Sequence, residues 1–172
     1  SSVARHLTAV RGLHRFLARE ELSSQDPCRD LIAPRRGRPL PKVLSLEEVE
    51  QLLAVPDPTT PLGLRDRAML ELLYASGLRV SELVGLRTLD LDLGAGLATV
   101  TGKGDKQRVV PIGEEAMAHI STYLEAGRPL LDRTRRLPQL FASRTGRRLS
   151  RQAVWQLITK LAIEAGLRGR VT

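Results

Sequence analysis

Residues Tyr74–Leu86 read YASGLRVSELVGL, a helix end, a break and a helix start packed into thirteen positions. Upstream, Ala68, Leu72, Leu73 and Ala75 recur at helical spacing and mark a buried helix that stops near Gly77, a residue suited to the left-handed turn that closes helices. Downstream, Val80, Leu83, Val84 and Leu86 supply the apolar side of the next helix, so Arg79 stands at its start, beside the break at Ser76-Gly77. A guanidinium there adds fixed donors to free backbone N–H groups, a combination suited to phosphate oxygens. Local spacing alone favours a plainer role, a surface ion pair between Arg79 and Glu82 three residues on.

Past this stretch, Leu97–Thr101 and Arg108–Ile112 are two β-prone runs joined by Gly-Lys-Gly-Asp-Lys-Gln, which predicts a hairpin with a glycine-rich, basic turn. Lys103 sits between Gly102 and Gly104, where missing side chains allow close approach to a DNA backbone. An ammonium with a lowered pKa can serve as general acid toward a departing oxygen, which a permanently protonated arginine cannot. A solvated turn fits the local residues equally well. Helices are expected over about 114–124 and 150–165, the second capped by Ser150 with a core face of Val154, Leu157, Ile158 and Leu161. The stretch between them reads as turns and is the densest basic region, Arg128, Arg133, Arg135, Arg136, Arg144, Arg147 and Arg148 against the lone Asp132.

Toward the start of the chain, Ser45 and Glu48 form a capping box for a short helix through Leu46, Val49, Leu52 and Leu53. Before it, Pro34–Lys42 (PRRGRPLPK) opposes regular structure and concentrates charge at Arg35, Arg36, Arg38 and Lys42, so it reads as a basic interdomain linker. Val3, Leu7, Val10, Leu13 and Leu17 make an amphipathic first helix behind Ser2, whose packing partners are expected upstream of Ser1. The organisation expected is residues 1–33 as the end of one helical domain, 34–42 as linker, and 43–172 as an incomplete second domain.

The charge balance, 27 Lys and Arg against 19 Asp and Glu for a net +8, points to a polyanion such as nucleic acid, although a solvated basic surface has the same composition. With 3% aromatic residues there are few rings for stacking on unpaired bases, which disfavours a single-strand or RNA reader and suits duplex DNA held by its phosphates. No apolar run is long enough to span a bilayer, and a single cysteine, Cys28, with three scattered histidines, His6, His14 and His119, offers no disulfide, metal site or histidine-centred triad. A cytoplasmic protein without a structural metal is the expectation. Gly102-Lys103-Gly104 lacks the spacing of a phosphate-binding loop, and no GxGxxG occurs.

The Tyr74–Leu86 stretch resembles the first catalytic-arginine motif of the tyrosine recombinases of the phage integrase family, and looks closest to their Xer type. The likeness continues through Asp90 and Asp92 to Thr101–Ile112 (TGKGDKQRVVPI), similar to the family's β-hairpin, in which Lys103 aligns with the catalytic lysine. Leu40–Val49 resembles the start of the family's catalytic domain, and Ser2–Leu22 looks like the last long helix of its DNA-clamping domain. The resemblance implies a mainly α fold with a small antiparallel hairpin or sheet. In this family a tyrosine attacks a DNA phosphodiester to form a 3′-phosphotyrosyl link, without metal or high-energy cofactor. Arg79 would stabilise charge on the non-bridging oxygens and Lys103 would protonate the leaving 5′ oxygen, with Glu82 a structural neighbour.

The family's His-x-x-Arg motif, its later His or Trp and its tyrosine would fall after Thr172, and Tyr74 and Tyr123 sit in the wrong segments to replace the nucleophile. The 172-residue chain is therefore expected to be inactive by itself. Lys42, Lys106, Arg108, Arg147, Arg148, Arg151 and Gln152 are the candidate DNA contacts. The partners implied are a double-stranded recombination site and other recombinase protomers in a tetramer on DNA, with a paralogous recombinase and a DNA translocase as open questions; the process implied is chromosome-dimer resolution. Two alternatives remain, a non-catalytic DNA-binding module that keeps the fold, and a basic ribosome-associated protein, which explains the charge but not the paired motifs.

Overall fold

A computed structural model describes residues 2–23, 25–32 and 43–169, without the side chains of Ser2 and Lys103. The linker reading at 34–42, with Lys42, lies outside the described residues. The chain divides into two compact units, Ser1–Pro41 and Lys42–Thr172. In the first, helix α1 (Ser2–Arg19) leaves Val3, Val10, Leu13 and Phe16 largely exposed. The Arg11 guanidinium donates to the Leu31 carbonyl, and Cys28 is buried with its N–H on the Asp26 carboxylate.

The second unit is built on helix α3 (Pro61–Ser76), preceded by α2 (Leu46–Ala54). Helix α2 carries the expected capping box: Glu48 N–H donates to the Ser45 hydroxyl, and Ser45 N–H to the Glu48 carboxylate. Helix α3 shows no narrow apolar stripe because it is covered on several sides, burying Ala68, Met69, Leu70 and Leu72 together with Arg65, Asp66 and Glu71. Those charges are paired: Arg65 with Asp66, Glu71 with Arg67, and the Arg65 guanidinium also donates to the Ala142 carbonyl. The Ser76 hydroxyl bonds back to the Leu72 carbonyl, and Gly77, at φ 59°, ends the helix in the left-handed conformation anticipated for it.

Helix α4 (Val80–Gly85) follows immediately, and a 3₁₀ turn over Thr88–Asp90 leads into a three-stranded antiparallel sheet ordered β1-β2-β3: β1 (Leu91–Asp92), β2 (Leu97–Thr101) and β3 (Gln107–Pro111). The mainly α architecture with a small antiparallel sheet is the fold class read from the sequence. Helix α5 (Glu114–Thr122) continues through a π-helical turn, Tyr123–Gly127, into α6 (Arg128–Leu131). The basic stretch read as turns therefore begins as helix. Its helical start is locked by Arg128, whose guanidinium donates to the Leu137, Gln139 and Leu140 carbonyls, contacts invisible to a local reading.

The last described helix, α7 (Arg151–Glu164), is capped by Ser150, whose hydroxyl accepts from Ala153 N–H at 3.0 Å. One apolar cluster joins α3, α4, the sheet, α5 and Leu140–Phe141, and includes Met69, Leu72, Leu83, Val100, Ile112, Ile120, Tyr123 and Val154. A second, around Leu52, Leu53, Leu70, Leu161 and Leu167, seats α2 and α7 on α3. Tyr123 is fully buried, stacked on Phe141, with its hydroxyl accepting from Ala142 N–H at 3.1 Å.

Candidate functional site

The break after α3 turns the chain so that Arg79 becomes the residue before α4, in extended conformation at φ −70° and ψ 148°. Its carbonyl accepts the first helical bonds, from Glu82 N–H and Leu83 N–H, while the Glu82 carboxylate reaches back to accept from Arg79 N–H at 2.8 Å. That return bond fixes the backbone from which the arginine side chain projects. Glu82 also accepts from the Arg79 guanidinium at 3.1 Å, yet the Arg79 side chain remains 74% exposed. The ion pair favoured by local spacing and an outward-facing cation therefore exist together. The remaining guanidinium donors of Arg79 take no hydrogen bond among the described residues, so they are oriented and accessible to an anion.

A second arginine meets the same carboxylate. Arg108, on β3, donates from both terminal nitrogens to Glu82, at 2.6 and 2.9 Å. Glu82 is 5% exposed, and its pKa is held down at about 2, first by the Arg108 hydrogen bonds, against burial, which acts the other way, and then by the Arg79 N–H and guanidinium. The carboxylate is thus ionised throughout the neutral range, and the three side chains carry a net single positive charge.

The hairpin tip closes beside this cluster. Gly102 N–H donates to the Lys106 carbonyl at 2.8 Å, and the turn between them passes through Gly104 at φ 72° and Asp105 at φ 55°. A Cβ built on Gly102 would lie 3.6 Å from the Glu82 carboxylate and 3.8 Å from the Arg108 guanidinium. Arg79, Ser81, Glu82, Thr101 and Gly102 line one open recess of about 520 Å³. Two motifs separated by more than twenty residues of sequence are therefore brought to one place: Arg79 lines the recess with Gly102, the residue before Lys103. The Lys103 side chain lies outside the described residues.

Of the other candidates, Arg148 and Arg151 line a neighbouring recess of about 480 Å³ with Ser81 and Val84, and Arg148 is tied down by a bond to the Val84 carbonyl at 3.2 Å. Ser81 is common to both recesses and connects the two basic patches around α4. Arg147, Gln152 and Lys106 are exposed at the foot of α7 and on the hairpin turn. Arg108 differs from these. It pairs with Val100 across the hairpin, which puts it on the face that buries Ala98, Val100 and Val110, and its guanidinium is engaged internally by Glu82. Its two-residue offset from Val110 is the sequence signal for that direction. Among the described residues no group of His, Cys, Asp and Glu could hold a metal, and no helix is long and apolar enough to cross a membrane.

Residues 42–172 match the phage integrase family. The whole chain is 42% identical to the tyrosine recombinase XerD of Oceanobacillus iheyensis, of which it spans 58%. Among solved structures it superposes on XerA recombinase with a TM-score of 0.67 and 27% identity over 95% of this chain and 55% of that one. It also superposes on XerH recombinase bound to a palindromic difH substrate in a post-cleavage complex, with a TM-score of 0.63 and 25% identity over 76% of this chain and 38% of that one. With a family match over residues 42–172, and with these relatives, the chain belongs to the phage integrase family of tyrosine recombinases, as its Xer-like motifs implied.

Proposed function

We propose that this chain is the part of a site-specific tyrosine recombinase that carries Arg79 and Lys103, and that the whole protein cuts and rejoins duplex DNA through a 3′-phosphotyrosyl intermediate. The observation that supports this most is the shared carboxylate: Glu82 holds an accessible Arg79 guanidinium and the base of the Lys103 hairpin around one recess. A phosphate entering there meets fixed cationic donors where negative charge develops on its non-bridging oxygens. As the tyrosine oxygen bonds to phosphorus, the P–O5′ bond breaks, the electron pair goes to the 5′ oxygen, and Lys103 supplies its proton. Arg148, Arg151, Arg147, Gln152 and Lys106 extend the cationic surface along the DNA backbone.

Neither tyrosine of the chain suits the nucleophile's role. Tyr123 is sequestered, its phenol pushed to higher pKa by burial, and Tyr74 stands on α3 ahead of the Gly77 break. The protein is read as acting in the cytoplasm within a tetramer of recombinases on DNA, for chromosome-dimer resolution. The test is covalent capture on a nicked recombination site. The full-length protein is expected to form a protein–DNA adduct and the 172-residue chain only a salt-sensitive non-covalent complex. An adduct formed by the 172-residue chain would overturn the division of labour, and none from the full-length protein would favour a non-catalytic DNA-binding module.

A further inference from the structure

Arg108 projects from the buried face of the hairpin, opposite Val100, and ends in a two-bond grip on Glu82 at 2.6 and 2.9 Å. The same carboxylate fixes the Arg79 backbone and guanidinium. Among the described residues, no other side-chain hydrogen bond connects β2, β3 or their turn to α4. The turn itself is braced across its base by the Gly102–Lys106 bond and passes through two left-handed residues. The apolar cluster seats the sheet on α4, and the polar tie that fixes β3 against α4 beside the recess is Arg108.

We propose that Arg108 is a positioning residue, not a DNA contact: by clamping β3 to Glu82 it sets the hairpin tip, and Lys103 with it, at a fixed distance from Arg79. This rests on the recombinase reading above. A bidentate guanidinium–carboxylate pair fixes orientation as well as distance, which a single lysine bond does not. The proton donor would then depend on Arg108 for its aim, while the charge-stabilising arginine keeps its own bonds to Glu82 and, through its carbonyl, to the first N–H groups of α4.

The experiment compares Arg108→Gln and Arg108→Lys with the unaltered full-length protein on two suicide substrates, one with the natural 5′ oxygen at the scissile phosphate and one with sulfur in its place. A thiolate departs without a proton, so sulfur removes the need for the lysine's donation. Arg108→Gln is expected to slow cleavage of the oxygen substrate roughly 10- to 100-fold and that of the sulfur substrate less than about threefold. Arg108→Lys should recover part of the loss. Equal slowing on both substrates, or none on either, would overturn the proposal. No adduct from the unaltered protein on either substrate would overturn the recombinase reading beneath it.

A second measurement needs no chemistry: amide exchange in the 172-residue chain should quicken about tenfold at residues 102–107 in Arg108→Gln, with α3 unchanged. Unchanged protection of the turn, or loss of protection throughout the domain in both variants, would refute a local clamp.

Discussion

Two acid–arginine clusters in the second unit use the same groups to opposite ends. Around Asp132, which is 1% exposed, Arg128 is spent internally: its guanidinium donates to the Leu137, Gln139 and Leu140 carbonyls and lies 3.6 Å from the Asp132 carboxylate, with only 16% of the side chain exposed. Around Glu82 the carboxylate is equally buried, but Arg79 keeps 74% of its side chain exposed and Arg108 41%. A cation whose hydrogen bonds go to backbone carbonyls of its own fold fastens loops to helices. One anchored through a single nitrogen and its own backbone N–H holds a fixed direction and still has donors for a ligand.

The largest effect expected from this contrast is chemical. Arg79→Lys keeps the charge but loses the planar fork, and should slow covalent adduct formation by the full-length protein about 10²–10³-fold with little change in melting temperature. A melting loss as large as the rate loss would erase the distinction between the clusters. Asp132→Asn should do the reverse. It removes the charge facing Arg128 and weakens the acceptor for Leu137 N–H and the Thr134 hydroxyl, and should cost about 3 kcal/mol in urea unfolding. Duplex binding by the folded fraction should be unaltered.

The acid limb separates the clusters further. With its pKa held at about 2, Glu82 binds protons less readily folded than unfolded, so its stabilising contribution is complete above about pH 4.5 and fades as pH falls toward 2. Asp66 acts in the opposite sense, because burial raises its pKa above the ordinary value and its ionisation is resisted in the fold. Comparing the unaltered chain with Glu82→Gln isolates the first: a stability difference on the order of 2 kcal/mol at pH 6 should shrink toward zero between pH 4.5 and 2. A difference that persists at pH 2 would mean that packing, not charge, accounts for Glu82.

Local sequence revealed most of the frame. The Ser45 and Ser150 caps, the Gly77 stop and the hairpin were legible because each is decided by a few adjacent residues. Helix α6 was not, since its hold on residues 137–140 comes from a guanidinium reaching across nine to twelve positions. At the site, Arg79 and the glycine-flanked Lys103 stood out by motif. For Arg108, residue type pointed to a DNA contact, while its register opposite Val100 carries the signal for the inward bond to Glu82.

The smallest effect tests whether the outward cations around α4 work as a DNA surface. Arg151 lines the recess shared with Ser81 and Arg148, at the first turn of α7, where its charge faces solvent. A phosphate contact releases about one counterion, so Arg151→Ala should lower the slope of log affinity against log salt by about one and leave the melting temperature unchanged. Arg128→Ala is the matched control, because its side chain is mostly buried and bonded to three carbonyls: it should lower the melting temperature and leave the slope intact. If both substitutions change the slope alike, the binding surface extends to the far side of Asp132, and the division between fastening and ligand-facing arginines fails. If neither does, Arg151 is a solvated cation, and the DNA surface is narrowed to the recess at Arg79 and the remaining exposed cations Lys106, Arg147 and Arg148.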